Sequence, residues 1–231
     1  MSIKAWVWRG LLGLLLLILL YQLWIFLHIC YWVHQNPAST AFMRDRLQQL
    51  QKENPEARLK HQWVDYQHIS VNLKRAVVAA EDSKFAQHEG FDWDGIQQAY
   101  EKNLKKGRLV AGGSTISQQL AKNLFLSSQR TPWRKLQEAV ITLMLEKMMS
   151  KRRILEIYLN VIEWGNGVFG ADAAARHYYG TSARHLSSYQ AARMAAMIPN
   201  PRFYDKHRST RFLNRKTGTI QSRMRLVEVP K

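Results

Sequence analysis

The chain has 231 residues, 34 of them Lys or Arg against 17 Asp or Glu, for a formal net charge of +17. Its single cysteine, Cys30, excludes an intrachain disulfide, and a hydrophobic fraction of 46% is enough for a core that needs no such staple. The basic excess fits polyanionic partners: nucleic acid, phospholipid headgroups or pyrophosphates.

Residues 10–33, GLLGLLLLILLYQLWIFLHICYWV, contain no Asp, Glu, Lys or Arg. As a helix rising about 1.5 Å per residue they are long enough to cross a bilayer with some tilt. Trp6 and Trp8 at one end and Trp24, Tyr31 and Trp32 at the other fit the aromatic belts of the two interfaces. Lys4 and Arg9 keep the short N-terminus cytoplasmic and send the rest across. A cleaved signal peptide is the alternative, but the apolar run is too long and its nearest small-residue site is NPASTA at 36–41. His28 and Cys30 are passengers in this segment. The expected organisation is a cytoplasmic N-terminus at 1–9, a transmembrane helix at 10–33, a juxtamembrane linker or helix at 34–60 and one domain at 61–231.

Residues 41–60 read as a helix that turns at Asn54-Pro55, and 61–70 alternate weakly, as a short extended piece does. From Val71 onward the pattern is of helices with short connections. In NLKRAVVAAEDSKF, Leu73, Ala76, Val77 and Ala80 recur at i, i+3, i+4 and i+7, one apolar helix face. Glu81 follows Val77 by four and falls on the edge of that face; Asp82 points away from it. A carboxylate beside an apolar stripe is partly desolvated, which raises its pKa and suits it to general-base work. Phe85 and His88 lie at i+4 and i+7 from Glu81 and pack around it if the helix continues; Gly90 ends the element. A solvated helix end with a few charges is the plainer alternative.

GGSTISQQLAKNLFL, residues 112–126, opens on a glycine pair with Ser114 as N-cap candidate. Thr115, Gln118, Gln119 and Lys122 then share one face, with Ile116, Leu120 and Leu124 opposite. Hydroxyl, amides and ammonium beside a helix N-terminus can hold an oxyanion or a pyrophosphate; an ordinary solvated face is the alternative. Next, Thr131 and Pro132 mark the cap and first turn of a helix, with Arg130, Arg134 and Lys135 clustered there and Glu138 four residues after Arg134. Glu138 is either a perturbed acid or a simple Arg134–Glu138 pair worth a few tenths of a kcal/mol. SKRRILEIYLN continues helically, EWGNGVFG breaks the pattern, Gly180 stops a short helix, and Ser187 with Gln190 forms a capping box. The basic tail after Asn200-Pro201 is poorly periodic.

Taken in order, EDSKFAQHEGFD, GGSTISQQLAKN, RKLQE, RRILEIYLN and GADAAARHYYG resemble the motifs of the family 51 glycosyltransferases, the glycosyltransferase domain of peptidoglycan polymerases. The similarity runs over residues 64–204. It implies a mainly α, lysozyme-like domain behind a single N-terminal transmembrane helix, in a bacterial inner membrane with the catalytic domain in the periplasm. It implies that lipid II, a disaccharide-peptide on polyprenyl pyrophosphate, is polymerised with inversion into β-1,4 glycan strands. By resemblance Glu81 is the base for the acceptor 4-hydroxyl and Glu138 the second important acid. Asp82, Phe85, His88, Thr115, Gln119 and Lys122 match substrate-site positions, joined by Ser114 and Gln118 of the same stretch, and Arg130 and Arg134 lie near the leaving pyrophosphate. The resemblance allows a divalent cation, Mg or Mn, at the pyrophosphate, though no metal-ligand spacing demands one. The expected partners are lipid II, the growing glycan strand and membrane phospholipids, with room for other cell-wall synthesis or division proteins and no nucleic acid. A KTG stands at 216–218 without any preceding S-x-x-K, so no transpeptidase site is expected. A lytic enzyme on the same fold and a membrane-anchored polyanion-binding protein are the rival functions.

Overall fold

The structure, a computed structural model, describes residues 3–107, 112–127, 129 and 131–231. It divides into two compact units, Met1–Asn36 and Pro37–Lys231. The first is helix α1, Ile3–His34, in which Trp6–His34 is long and apolar enough to cross a membrane, with a mean hydropathy of 2.4 over an 18-residue stretch. His28 turns its Nδ1 to the carbonyl of Trp24 within the same helix.

The second unit is mainly α. Its elements are α2 (Ala41–Glu53), β1 (Lys60–His61), a 3-10 turn at Tyr66–His68, α3 (Val71–Glu81), α4 (Trp93–Lys106), α5 (Ile116–Phe125), α6 (Pro132–Met148) and α7 (Lys151–Val161). Then come β2 (Glu163–Gly165), β3 (Val168–Phe169), α8 (Ala171–Tyr179), a 3-10 turn at Ala183–His185, α9 (Ser188–Met197), α10 (Pro201–Lys206) and α11 (Arg211–Arg223). Short polar side chains start most of these helices: Thr40, Ser70, Asp92, Thr115, Thr131, Ser150, Ser187 and Thr210 each accept a first-turn N–H. Each such cap satisfies a donor that the helix cannot satisfy itself.

The core forms around α3. Its buried face, Leu73, Ala76 and Val77, packs along α9, whose Ala191, Ala192, Ala195 and Ala196 are fully buried. Side chains that small let the two backbones approach closely. Helix α9 packs in turn on α11, and α5 lies against α2, α6 and α7.

Two expectations are corrected. The chain after Val71 is not all helix: β2 and β3 form an antiparallel hairpin, joined by β1 in parallel in the order β1-β3-β2. Gly167 and Gly170 turn the chain there at φ 71° and 83°, a region that side chains disfavour. The tail is not irregular either. Leu213, Thr217 and Ile220 recur at i, i+4 and i+7 and are buried. The polar member hid this stripe, and its hydroxyl donates to the Leu213 carbonyl at 2.8 Å, which makes its burial tolerable.

Candidate active site

Helix α3 ends at Glu81, and Asp82 leaves helical geometry at φ −164°, ψ 77°. Phe85 and His88 therefore do not surround Glu81 by helical spacing. Instead Asp82 turns inward, against the expectation that it points away, and is 7% exposed. Its carboxylate accepts from the Ile116 N–H at 3.0 Å and from His88 Nε2 at 3.0 Å, pinning the end of α3 to the start of α5. His88 Nδ1 accepts from the Gly90 N–H, which puts the ring proton on Nε2, facing Asp82. Gly90 sits at φ 92°, where a Cβ would lie 2.8 Å from Thr142 Cγ2. Phe85 is fully buried and faces the core, with the Lys151 ammonium 4.6 Å from its ring centroid. Of the other acids in this segment, Asp92 caps α4 and Asp94 pairs with Lys84.

Glu81 differs from Asp82 in being half satisfied. Its Oε2 accepts from Gln119 Nε2 at 2.9 Å, while Oε1 is buried with no hydrogen-bond partner. Burial pushes the Glu81 carboxyl above the ordinary range; the Gln119 hydrogen bond and the charges of Lys216 and Lys122 pull the other way without cancelling it. A carboxylate with one vacant lone-pair site and a raised pKa is arranged to receive a proton. Lys216, on α11, escaped the sequence reading because it lay in the KTG of the tail. The spacing of Leu213, Thr217 and Ile220 is the signal that places it on a packed helix. Burial lowers its pKa and Glu81 supports its charge.

The N-cap of α5 is Thr115, not Ser114, which is exposed. The chain is already extended at Thr115, and its side chain reaches the Gln118 N–H while the Gln118 side chain accepts from the Thr115 N–H. The Thr115 hydroxyl donates to the Gly90 carbonyl at 2.7 Å. Thr115 and Gln118 are buried and hold the loop, so the expected four-residue stripe narrows to Gln119 and Lys122. A cleft of about 180 Å³ opens on Glu81 and Asp82, lined also by Ser83, Asp92, Gly112, Gly113 and Ser114. A second hollow of about 270 Å³ lies beside Gln119 and is lined by Phe42, Lys122, Asn123, Glu163 and Arg202. The Glu81–Gln119 hydrogen bond joins the walls of the two.

Helix α6 starts on Thr131 and Pro132 as expected. Glu138 is 3% exposed and held by Arg134, at 3.0 Å, and by Lys135. It is thus a buried carboxylate between two cations rather than a surface pair of a few tenths of a kcal/mol. Arg130 lies outside the described residues. Among the described residues no three His, Cys, Asp or Glu side chains converge as a metal site.

The chain matches the transglycosylase family over residues 46–225. It is 72% identical to a biosynthetic peptidoglycan transglycosylase of Methylobacillus flagellatus, over 99% of this chain and 100% of that protein. It is 67% identical to one of Laribacter hongkongensis, over 97% and 99%. It is 64% identical to one of Nitrosospira multiformis, over all of both chains.

Proposed function

The chain belongs to the transglycosylase family and is a peptidoglycan glycosyltransferase, and from this premise we propose that it polymerises lipid II with Glu81 as general base. The observation that carries the reading is the Glu81 carboxylate itself, with one oxygen held by Gln119 and the other buried and open to a proton. The 4-hydroxyl of the acceptor sugar attacks the anomeric carbon of the donor from the face opposite the leaving group. Glu81 takes the hydroxyl proton, a β-1,4 bond forms with inversion, and polyprenyl pyrophosphate leaves with the bonding electrons. Lys122 and Arg134 supply positive charge for that diphosphate, and Glu138 holds Arg134 in place.

The donor set does not fit a resident divalent cation. Among the described residues no three acids converge closely enough to ligate an ion: Asp82 is occupied by Ile116 and His88, and Asp92, on the far wall of the cleft, caps α4.

Purified protein in detergent is expected to convert labelled lipid II into muramidase-sensitive polymer, releasing one polyprenyl pyrophosphate per bond formed. Release without polymer, or no reaction, overturns this reading.

Lys216→Met tests the electrostatics at the base. The lysine's charge holds the Glu81 pKa down, so removing it raises that pKa further. The acid limb of the pH–rate profile then moves to higher pH and activity returns at alkaline pH. A profile superimposable on wild type places Lys216 outside the site.

We further propose that the domain works against a bilayer, where its lipid substrate lies, anchored by α1 with the N-terminus cytoplasmic. Helix α4 exposes Trp93, Tyr100 and Leu104 beside Lys102, Lys105 and Lys106, and α6 exposes Trp133, Leu136 and Leu143 beside Lys135 and Lys147. Apolar side chains edged by lysines suit an anionic lipid surface. The pair Trp93→Ser and Trp133→Ser is expected to slow polymerisation several-fold in anionic bilayers and to leave the rate in detergent unchanged. Equal losses in both media would deny these faces a membrane role.

A further inference from the structure

The Gln119 side chain is an amide, and an amide can face a neighbour with either end. Turned one way it donates an N–H to Glu81; turned the other it presents a carbonyl to a carboxylate and repels it. Something must choose. Behind Gln119 stands Tyr158 of α7, fully buried, with its hydroxyl 2.9 Å from Gln119 Oε1. We propose that Tyr158 is a positioning residue for the base: its hydroxyl holds the Gln119 amide in the orientation in which Nε2 donates to Glu81. This rests on Glu81 being the base.

Three observations make the chain of contacts directional. Burial, together with the nearby acids Glu81 and Asp82, raises the Tyr158 phenol well above its ordinary range, so it keeps its proton throughout the working pH range and stays a donor. An ionised carboxylate can only accept, so it takes the N–H end of the amide. Gln119 then has its carbonyl oxygen toward Tyr158 and both links are 2.9 Å long. The main chain of Gln119 is held separately, its carbonyl accepting from Asn123 Nδ2 at 2.7 Å. The side chain is therefore oriented by the hydroxyl and the carboxylate together; without the hydroxyl only the ionised carboxylate holds it, and a protonated Glu81 can donate to the carbonyl end instead.

The other groups that face Glu81 do not duplicate this. Asp82 on α3 is bound to Ile116 and His88. Lys122 on α5 and Lys216 on α11 act on Glu81 through their charge. Helix α9, packed along α3, buries only Ala191, Ala192, Met194, Ala195, Ala196 and Met197.

A hydrogen bond donated to the charged form of an acid favours that form. Losing it leaves more of the base protonated at low pH and changes nothing once pH is high enough to ionise it anyway. A tyrosine that merely fills space would instead change the rate equally at every pH. The test is the pH–rate profile of the full-length protein on lipid II, from about pH 5.5 to about pH 9, for wild type, Y158F, Q119M and the double variant. Y158F is expected to lose about tenfold at the acid end and to come within about twofold of wild type at the alkaline end. Q119M should move the acid limb in the same direction, and adding Y158F to it should move the limb no further, because the hydroxyl acts through the amide.

A uniform loss in Y158F, or a limb in the double variant displaced by the sum of the two single shifts, overturns the inference. If Y158F does not fold, as judged by circular dichroism, Q119M decides: an unmoved limb there overturns it, since no amide then holds the base for Tyr158 to orient. Failure of the base assignment looks different, because Glu81→Gln then keeps its activity. Failure of the Tyr158 inference alone leaves Glu81→Gln inactive and the Y158F limb at the wild-type position.

Discussion

Glu81→Gln is expected to lower the rate of lipid II polymerisation by about a thousandfold while leaving the protein folded. The amide keeps the shape of the carboxylate, and its oxygen can still accept from Gln119 Nε2 at the 2.9 Å now seen. What it cannot do is take a proton from a sugar hydroxyl. The same change predicts a stability effect of definite sign. Burial raises the Glu81 pKa in the folded state, so the folded form binds this proton more tightly than the unfolded form does. Wild type therefore loses stability as pH rises from the unfolded carboxylate pKa through the raised folded one. Glu81→Gln has no such proton to lose. Its melting temperature should match wild type in acid and exceed it once pH passes the folded pKa of Glu81. Melting curves at several pH values check this beside the polymerisation assay. An active Glu81→Gln protein would hand the role of base to another acid, with Glu138 the next candidate. An inactive variant whose melting temperature tracks wild type at every pH would deny that burial strains the carboxylate.

Asp82→Ala should show the opposite balance, a large loss of stability. Asp82 is a buried carboxylate whose oxygens satisfy a backbone N–H of α5 and the Nε2–H of His88. Removing it leaves both donors without their acceptor at a largely buried position, which costs about 3 kcal/mol. A domain of this size loses about 2–4 °C of melting temperature per kcal/mol, so a fall of roughly 10 °C is expected. Asp82→Asn keeps one oxygen for Ile116 and should recover part of the loss. Activity falls in both, because α3 ends one residue earlier, at Glu81, and the Asp82 anchor sets where that end lies. A melting temperature within a degree or so of wild type for Asp82→Ala would mean the pin between α3 and α5 is not a structural necessity. Calorimetry or thermal circular dichroism decides it.

Much of the site was legible before the structure. The apolar spacing of Leu73, Ala76 and Val77 located α3, and it put Glu81 at the edge of a desolvated face, where the raised pKa is found. The cap and first turn of α6 read correctly from Thr131 and Pro132, as did the Ser187–Gln190 capping box of α9. These are signals carried within one helical turn, by groups that satisfy their own neighbours. Asp82 was misread because helical spacing was extended one residue too far. Past the end of a helix the direction of a side chain is set by whatever can satisfy it, and here that partner lies 34 residues on, at Ile116. Ser114 and Thr115 are successive hydroxyl residues either of which could cap α5, and the contact of Thr115 with Gly90 selects between them.

By itself the sequence determined the apolar face of α3, where α6 and α9 begin, and which carboxylate sits against an apolar face. It also carries the ordered motifs through which the family is recognised. Each of these rests on periodicity or on hydrogen bonds a few residues apart, and such information is local to the chain. Only the tertiary structure decided which distant groups meet at Glu81. Gln119 comes from α5, Tyr158 from α7 and Lys216 from α11. Those meetings depend on how helices pack, and packing is chosen by the fit of whole faces, such as the alanines of α9 against α3. A single residue's character holds no record of that choice. The Glu81 carboxylate, the proposed base, can therefore be singled out from its own neighbourhood in sequence, while Gln119, Tyr158 and Lys216 are brought to it by the fold.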